Sequence, residues 1–518
     1  MNETDIFKLH DEIVKYYVAL LTVRSEADAL GRLGVPLPSK SARDKGKAKA
    51  TEPEVPPVNR LPAELLSEIM VQALPDDQFR DWYKTLLFTR VCSYWRIVAQ
   101  DTPHLWCSIN IAPRPNNLMQ LKMRHVNFFM RMWLARSEPY PISVSLSLPS
   151  SYLDREFTRE RDQSLECIQL LSENLYRCKA LRLAAPFQVI SMLADAPLEY
   201  LADLRLLNDT PRDPMTLSLP SLAAAPALRT VHLAHVSPAF SLDTFDCVRL
   251  TELSLETRGP AVLRCMELIV ECTNLETLKL HVEKVSKEDF DAWPNAALRR
   301  PLFDSLETLQ VTARRCAEDF GRILSWLYIP VLRRLRVVGN GVSWARTRHM
   351  ILRDACQLRE VEVHQDDSKF RFFPEESDLL EFLRCVPELR VLKLGGTRSG
   401  YKAFTEDIVK AMTYKPEGNL SEYLLPQLEV MDISYITRRC QAHFIEEMLD
   451  SRREVPADAS GRLSRIKNAV VVQPAPWMPN HQKWRIEEGG EVQYQLRQYS
   501  GNMDLNPDFC WSDGYDHV

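Results

Sequence analysis

Residues able to do chemistry are plentiful in this chain, but their spacing assembles no reaction. Gly395-Gly396-Thr397-Arg398-Ser399-Gly400 follows a strand-like stretch and precedes a helical one, the setting of a phosphate-binding loop. Such a loop needs Lys and then Ser or Thr, and Tyr401-Lys402-Ala403 stands there instead. Turn glycines between structural elements account for the stretch. His232 and His235 are close in sequence without a HExxH frame or a third ligand, so no metal is assigned to them. A G-x-S-x-G nucleophile elbow is absent. Cys265 and Cys272 fall on an apolar helical pattern and read as small core residues. Glu375-Glu376 and Glu446-Glu447 read as solvated helix ends and faces, and no distant carboxylates can be joined into an acid and base. No catalytic residue, metal ligand or cofactor is assigned, and the chain reads as a non-enzyme.

Composition sets the outer limits. With 518 residues, 45% hydrophobic and 26% charged, the chain can bury a large core and hold more than one domain or a long repeat array. Lys and Arg number 65 against 70 Asp and Glu, a net charge of -5. That leaves no global basic field for a polyanion, so nucleic acid is not an expected partner. The 12 cysteines include no CxxC pair, and the N-terminus is charged rather than a signal peptide. Both point to a reducing compartment, cytoplasmic and/or nuclear. No run of about 18 apolar residues is present, so no membrane span is expected.

The elements that would position functional side chains begin with two helical stretches. Leu61-Pro62 opens the first, with proline in the first turn where its missing N–H is no loss. Leu65, Leu66, Ile69, Met70, Ala73 and Leu74 then fill neighbouring i, i+4 columns, an apolar face wider than a small helix hairpin needs. Leu87, Val91, Tyr94, Trp95 and Val98 keep helical spacing as far as Pro103, and Leu105–Ile111 alternates like a strand. Leu61-Pro62, Glu64-Leu65-Leu66, Ile69, Val91-Cys92, Trp95-Arg96 and Leu105-Trp106 resemble the F-box, and their flavour is that of the large fungal set of F-box-like proteins. Pro75–Tyr83, between the two halves, is longer than in the compact form. The resemblance covers residues 58–111. It implies an adaptor-binding face at Leu61, Pro62, Leu65, Leu66, Ile69, Val91 and Trp95. It also implies a Skp-family adaptor, and through it a cullin ligase, as partners.

Flanking this module, Ile6, Leu9, Ile13, Tyr16, Leu20, Val23, Ala27 and Leu30 alternate steps of three and four. That is the seam of a short coiled coil, which either pairs two chains as a weak homodimer or lies against its own domain. Residues 1–35 thus form an N-terminal helix. Residues 36–57 form a basic, proline-rich linker, either a weak localisation signal or a solvated spacer. Beyond the module, Leu118–Arg136 reads as a helix and Pro141–Leu148 as a strand.

One pattern then recurs, L-x-x-L-x-L, at Leu201, Leu228, Leu250, Leu275, Leu306, Leu332, Leu358, Leu389 and Leu428. Steps run from 22 residues (228 to 250) to 39 (389 to 428), and the asparagine expected after the last leucine occurs once, as Asn340. Helical stretches at Val262–Cys272, Cys316–Leu327, Arg346–Ala355, Asp378–Arg384, Thr405–Met412 and Ala442–Leu449 fall between copies, so each unit is strand, turn and helix. This resembles a degenerate leucine-rich repeat. The fold class implied is a small all-helical module followed by a curved α/β solenoid over residues 112–498.

Within each copy, the residue between the last two apolar positions must point away from the core. Arg205, His232, Ser254, Lys279, Gln310, Arg336, Glu362, Lys393 and Asp432 form that row, and all are polar. The row is either the wet face of a sheet or a contact surface for a protein substrate, centred on Arg205, His232, Lys279, Gln310, Arg336, Glu362 and Lys393. Val470–Val472 and Glu491–Leu496 read as capping strands. The polar residues 499–518 read as a disordered tail. The function expected from the resemblance is substrate recognition for an SCF-type ubiquitin ligase. The alternative is a non-catalytic binding scaffold that joins no ligase.

Overall fold

The computed structural model describes residues 57–74, 84–111, 123–148, 158–193, 197–208, 225–235, 247–258, 268–283, 301–313, 317–339, 342–364, 376–395, 404–415, 423–433, 440–453, 463–474, 480–486 and 493–498. The expected helix at 6–30, the linker before residue 57, the segment 75–83, Asn340, residues 396–400 and the tail 499–518 lie outside the described residues. The chain divides into two compact units, one running to Leu201 and one beginning at Ala202.

In the first unit, a 3-10 turn at Pro57–Arg60 leads into α1 (Ala63–Gln72). Pro62 caps α1, and its carbonyl accepts the Leu66 amide at 3.0 Å. α2 (Lys84–Val91) and α3 (Ser93–Gln100) follow. The spacing over Leu87–Val98 is that of one helix, but Cys92 is extended and divides it, its Sγ accepting the Trp95 amide at 3.5 Å. The strand expected from Leu105 begins only at Ser108. Pro103–Trp106 is a 3-10 turn with proline at its start, and it buries both Leu105 and Trp106. Consecutive residues of a strand point to opposite faces and could not both reach that core so readily.

β1 (Ser108–Ile111), β2 (Ile142–Ser147) and β3 (Cys178–Ala185) pair parallel in that order. α4 (Met123–Arg136), α5 (Thr158–Ser172) and the short α6 (Phe187–Ser191) complete the unit. α4 packs on α5, where Glu166 takes hydrogen bonds from Arg131 (2.6 Å) and Asn127 (2.7 Å). Both hold its carboxyl below the usual range. β3 carries a hidden copy of the repeat, Cys178-x-x-Leu181-x-Leu183, with cysteine in the first leucine place.

The second unit is an α/β solenoid-like arrangement. Its strands β4 (Asp203–Asn208), β5 (Thr230–Ala234), β6 (Glu252–Arg258), β7 (Thr277–Glu283), β8 (Thr308–Ala313), β9 (Arg334–Gly339), β10 (Glu360–His364), β11 (Val391–Gly395) and β12 (Val430–Ile433) are the nine L-x-x-L-x-L copies in order. Neighbours pair parallel, and β13 (Asn468–Pro474) continues the series. α7 (Ala317–Trp326), α8 (Trp344–Asp354), α9 (Glu376–Arg384), α10 (Glu406–Met412) and α11 (Ala442–Arg453) connect successive strands from β8 onward. In the earlier connections the described residues contain only single turns, at Cys247–Arg249 and 268–271.

The leucine columns are sealed: Leu253, Leu278, Leu309, Val361 and Leu392 are all fully buried. A further buried column lies three residues before most copies, at Ala225, Cys247, Cys272, Phe303, Ile329, Val386 and Leu425, but not before Leu358, where Ala355 is exposed. In most rungs the carbonyl of this residue accepts the first leucine's amide, as Ile329 O does from Leu332 N at 3.3 Å. A second backbone motif joins the rungs. The carbonyl just after the first leucine takes two successive amides of the next rung: Arg333 O from Arg359 (2.7 Å) and Glu360 (3.0 Å), Arg390 O from Glu429 and Val430 (2.9 Å each). The motif recurs from Ala202 to Glu429, and because it uses backbone alone it holds whether the residue is Arg, Thr or Glu.

Past β13, β14 (Asn480–Ile486) and β15 (Gln493–Gln498) turn antiparallel. Arg452 of α11 is fully buried and donates to the carbonyls of Met412, Leu425, Pro426 and Ser464 at 3.0–3.4 Å. Burial lowers its pKa to about 10, so it stays charged at neutral pH. Among the described residues, no helix is long and apolar enough to cross a membrane.

Candidate functional site

Two surfaces collect the sequence-derived candidates, one in each unit. In the first, α3 packs against both α1 and α2. Tyr94 donates to the Leu61 carbonyl at 2.7 Å, Arg96 to the Thr89 carbonyl at 2.9 Å, and Trp106 Nε1 to the Ala99 carbonyl at 2.8 Å. Leu66, Met70, Leu86, Val98, Ala99, Leu105 and Trp106 are the core these contacts enclose.

Outside that core, large apolar side chains face solvent. Leu65 is 55% exposed, Ile69 49% and Val91 58%. Leu65 and Ile69 stand one turn apart on the same face of α1. Pro62 is exposed, and Leu61 and Trp95 are half-buried, with the Trp95 ring 6.3 Å from that of Phe88. Leu66 is sealed in the core and supports this face from beneath rather than forming part of it. Val58 and Ile97 are also exposed. Burying one such side chain is worth about 1.5–3 kcal/mol, so several left in water form a surface a protein partner can use.

The second surface is the row expected between the leucines. Arg205, His232, Ser254, Lys279, Gln310, Arg336, Glu362, Lys393 and Asp432 are successive Cα partners from β4 to β12 without a slip of register. Each is half-buried except Ser254, which is buried. Their charges are largely spent on one another and on the neighbouring column. Lys279 pairs with Glu252 at 2.8 Å, Arg336 with Glu362 at 3.7 Å, Arg334 with Glu360 at 3.4 Å and Arg205 with Asp203 at 3.4 Å. The face is therefore a mosaic of ion pairs rather than a field of one sign. That suits a protein partner of mixed charge better than a polyanion.

The histidines are arranged differently from a metal site. His235 closes β5 in the left-handed region, φ 55°, uncommon for a non-glycine residue. Its Nε2 lies 3.4 Å from Glu256 Oε1, and His281 Nε2 approaches the same oxygen at 3.9 Å. Burial, then the Arg205 charge beside it, lowers the pKa of His232 to about 4. Among the described residues, no His, Cys, Asp and Glu group is placed to hold a metal ion. Gly395 has a different task from the phosphate loop its sequence resembles. A Cβ there would meet His364 Nδ1 at 2.6 Å, so the glycine makes room for the ring of the adjoining strand.

His281 and the exposure of Val58 and Ile97 carry no signal in sequence, since each depends on what the neighbouring strand or helix covers. Compared with known proteins, the chain matches no family model and no curated protein.

Proposed function

We propose that the chain is a substrate-recognition adaptor of an SCF-type ubiquitin ligase, without a catalytic site of its own. In this reading it is an F-box protein: α1 to α3 dock a Skp-family adaptor, which links to a cullin, and the polar face of β4–β12 binds a protein substrate. The observation that carries the reading is the exposure of Leu65, Ile69 and Val91 above a closed core. These are positions at which the F-box resemblance implies adaptor contact. The unbroken polar row is the second support, because repeat arrays recognise partners through aligned side chains on one face. Such a protein works in the cytoplasm, the nucleus or both.

The test is co-purification of the full chain with a Skp-family protein. Leu65→Asp with Ile69→Asp should abolish retention while circular dichroism and melting temperature stay at wild-type values, since both residues are solvent-facing. Retention at wild-type level overturns the docking assignment. Adaptor binding without any cullin in the complex selects the scaffold reading instead.

A further inference from the structure

We propose that Cys247 and Cys272 are a redox modification site, two thiols set to close a disulfide between adjacent rungs of the second unit. The inference is independent of the ligase reading. Glu252 and Thr277 are Cα partners in β6 and β7, and each cysteine lies five residues upstream of its partner, at the same place in successive repeats. The two backbones match there: Cys247 O accepts the Leu250 amide at 3.1 Å and Cys272 O the Leu275 amide at 3.4 Å. Asn274 Nδ2 donates to the Val248 carbonyl at 2.9 Å and ties the two turns together. The strands these two turns lead into run about 4.8 Å apart, and a disulfide requires about 4.4–6.8 Å between Cα atoms. The Cys272 thiol donates to the Leu268 carbonyl at 3.2 Å, and Cys247 is the side chain that most raises its pKa.

Both thiols are buried, whereas residues beside them in the two turns are not. Val248, Arg249, Val270, Glu271, Thr273 and Asn274 around them are exposed. With hydrogen peroxide as oxidant, one cysteine thiolate attacks a peroxide oxygen, the O–O bond breaks, and a sulfenic acid and hydroxide form, the hydroxide taking up the proton the thiol had released to become water. The second thiol then attacks that sulfur, forming S–S and releasing a second water. Two thiols are oxidised, one peroxide is reduced, and two waters leave. Cys247 keeps slight solvent contact and meets peroxide first, whereas Cys272 is fully enclosed. The Cys247 contact and burial hold the Cys272 thiol well above its usual range. Closure is therefore slow near neutral pH and faster as pH rises, because the thiolate is the nucleophile.

The experiment treats the folded full-length chain with hydrogen peroxide, traps remaining thiols, and maps peptides without reductant. Cleavage by trypsin and by a glutamate-specific protease cuts after Arg249, Glu252 and Glu271, which parts Cys272 from Cys265. The expected result is a linked pair containing Cys247 and Cys272, lost on reduction, with a higher melting temperature for the oxidised chain. Free thiols, sulfinic acid at either position, a bond from Cys247 to Cys265, or a link formed only after unfolding would overturn the proposal.

Discussion

Acidification should weaken the second unit through one side chain, His232. It stands in the polar row between Arg205 and Ser254, half-buried, and burial together with the Arg205 charge lowers its pKa to about 4 from 6.5. The unfolded chain therefore binds this proton more readily than the folded one. Stability is complete above pH 6.5 and is lost progressively as pH falls from 6.5 toward 4. At pH 5 the unfolded imidazole is mostly protonated and the folded one mostly neutral, a difference of about 2 kcal/mol, with about 1 kcal/mol as a floor once partial solvent screening is allowed for. The perturbation is His232→Gln, which keeps a polar side chain of similar reach and removes the titration. Urea unfolding of both chains at pH 7 and pH 5 reads the effect. The wild-type chain should lose about 1–2 kcal/mol more than the variant between the two pH values. The difference between chains cancels the other titrating groups. Equal losses in the two chains would show that His232 is protonated as easily folded as unfolded, and the argument from burial and Arg205 would fail.

Other expected outcomes separate surface from core. Leu278→Ala or Leu309→Ala, both fully buried between rungs, should each cost about 2–5 kcal/mol in chemical denaturation. Arg336→Glu with Lys393→Glu should change the set of co-purifying proteins. It breaks the Arg336–Glu362 pair and sets like charges side by side, yet should cost no more than about 1 kcal/mol in stability; an unchanged partner set would remove this face as the receptor surface. Arg452→Met should cost about 3–5 kcal/mol, because four carbonyls lose a charged donor where water cannot replace it; a loss below about 1 kcal/mol would mean the cage contributes nothing net.

Much of the fold is legible in sequence because its signals are periodic and local. The copies from Leu201 to Leu428 coincide with β4–β12, and the residues between their leucines line up one against the next. The helical spacing at Cys316–Leu327, Arg346–Ala355 and Ala442–Leu449 marks α7, α8 and α11 within a few residues. Misses have definite causes. Cys178 hides a copy at β3 because a small buried thiol fills a leucine place. Asn480–Ile486 forms β14 from a largely polar stretch, a strand set by pairing with β13 rather than by its own pattern. The spacing over Leu87–Val98 predicts one helix because it does not report that Cys92 is extended. For the candidate surfaces, sequence identifies α1's apolar face but cannot say that Leu65 is outside and Leu66 inside. It likewise cannot foresee that Lys279 and Arg336 are engaged by Glu252 and Glu362.

The paired amides taken by one carbonyl at each rung have a consequence for how the molecule can change. Register between strands is held by atoms every residue possesses, so a rung asks of its sequence only a handful of apolar side chains and leaves the rest unspecified. The step from one copy to the next can lengthen from 22 to 39 residues without disturbing the neighbouring strand. Open-face residues can therefore change with little effect on the register, although paired charges such as Arg336 with Glu362 and Lys279 with Glu252 are tied to each other across adjacent strands. What is fixed is the spacing of the strands, and what stands on the open face can vary, singly or in such pairs.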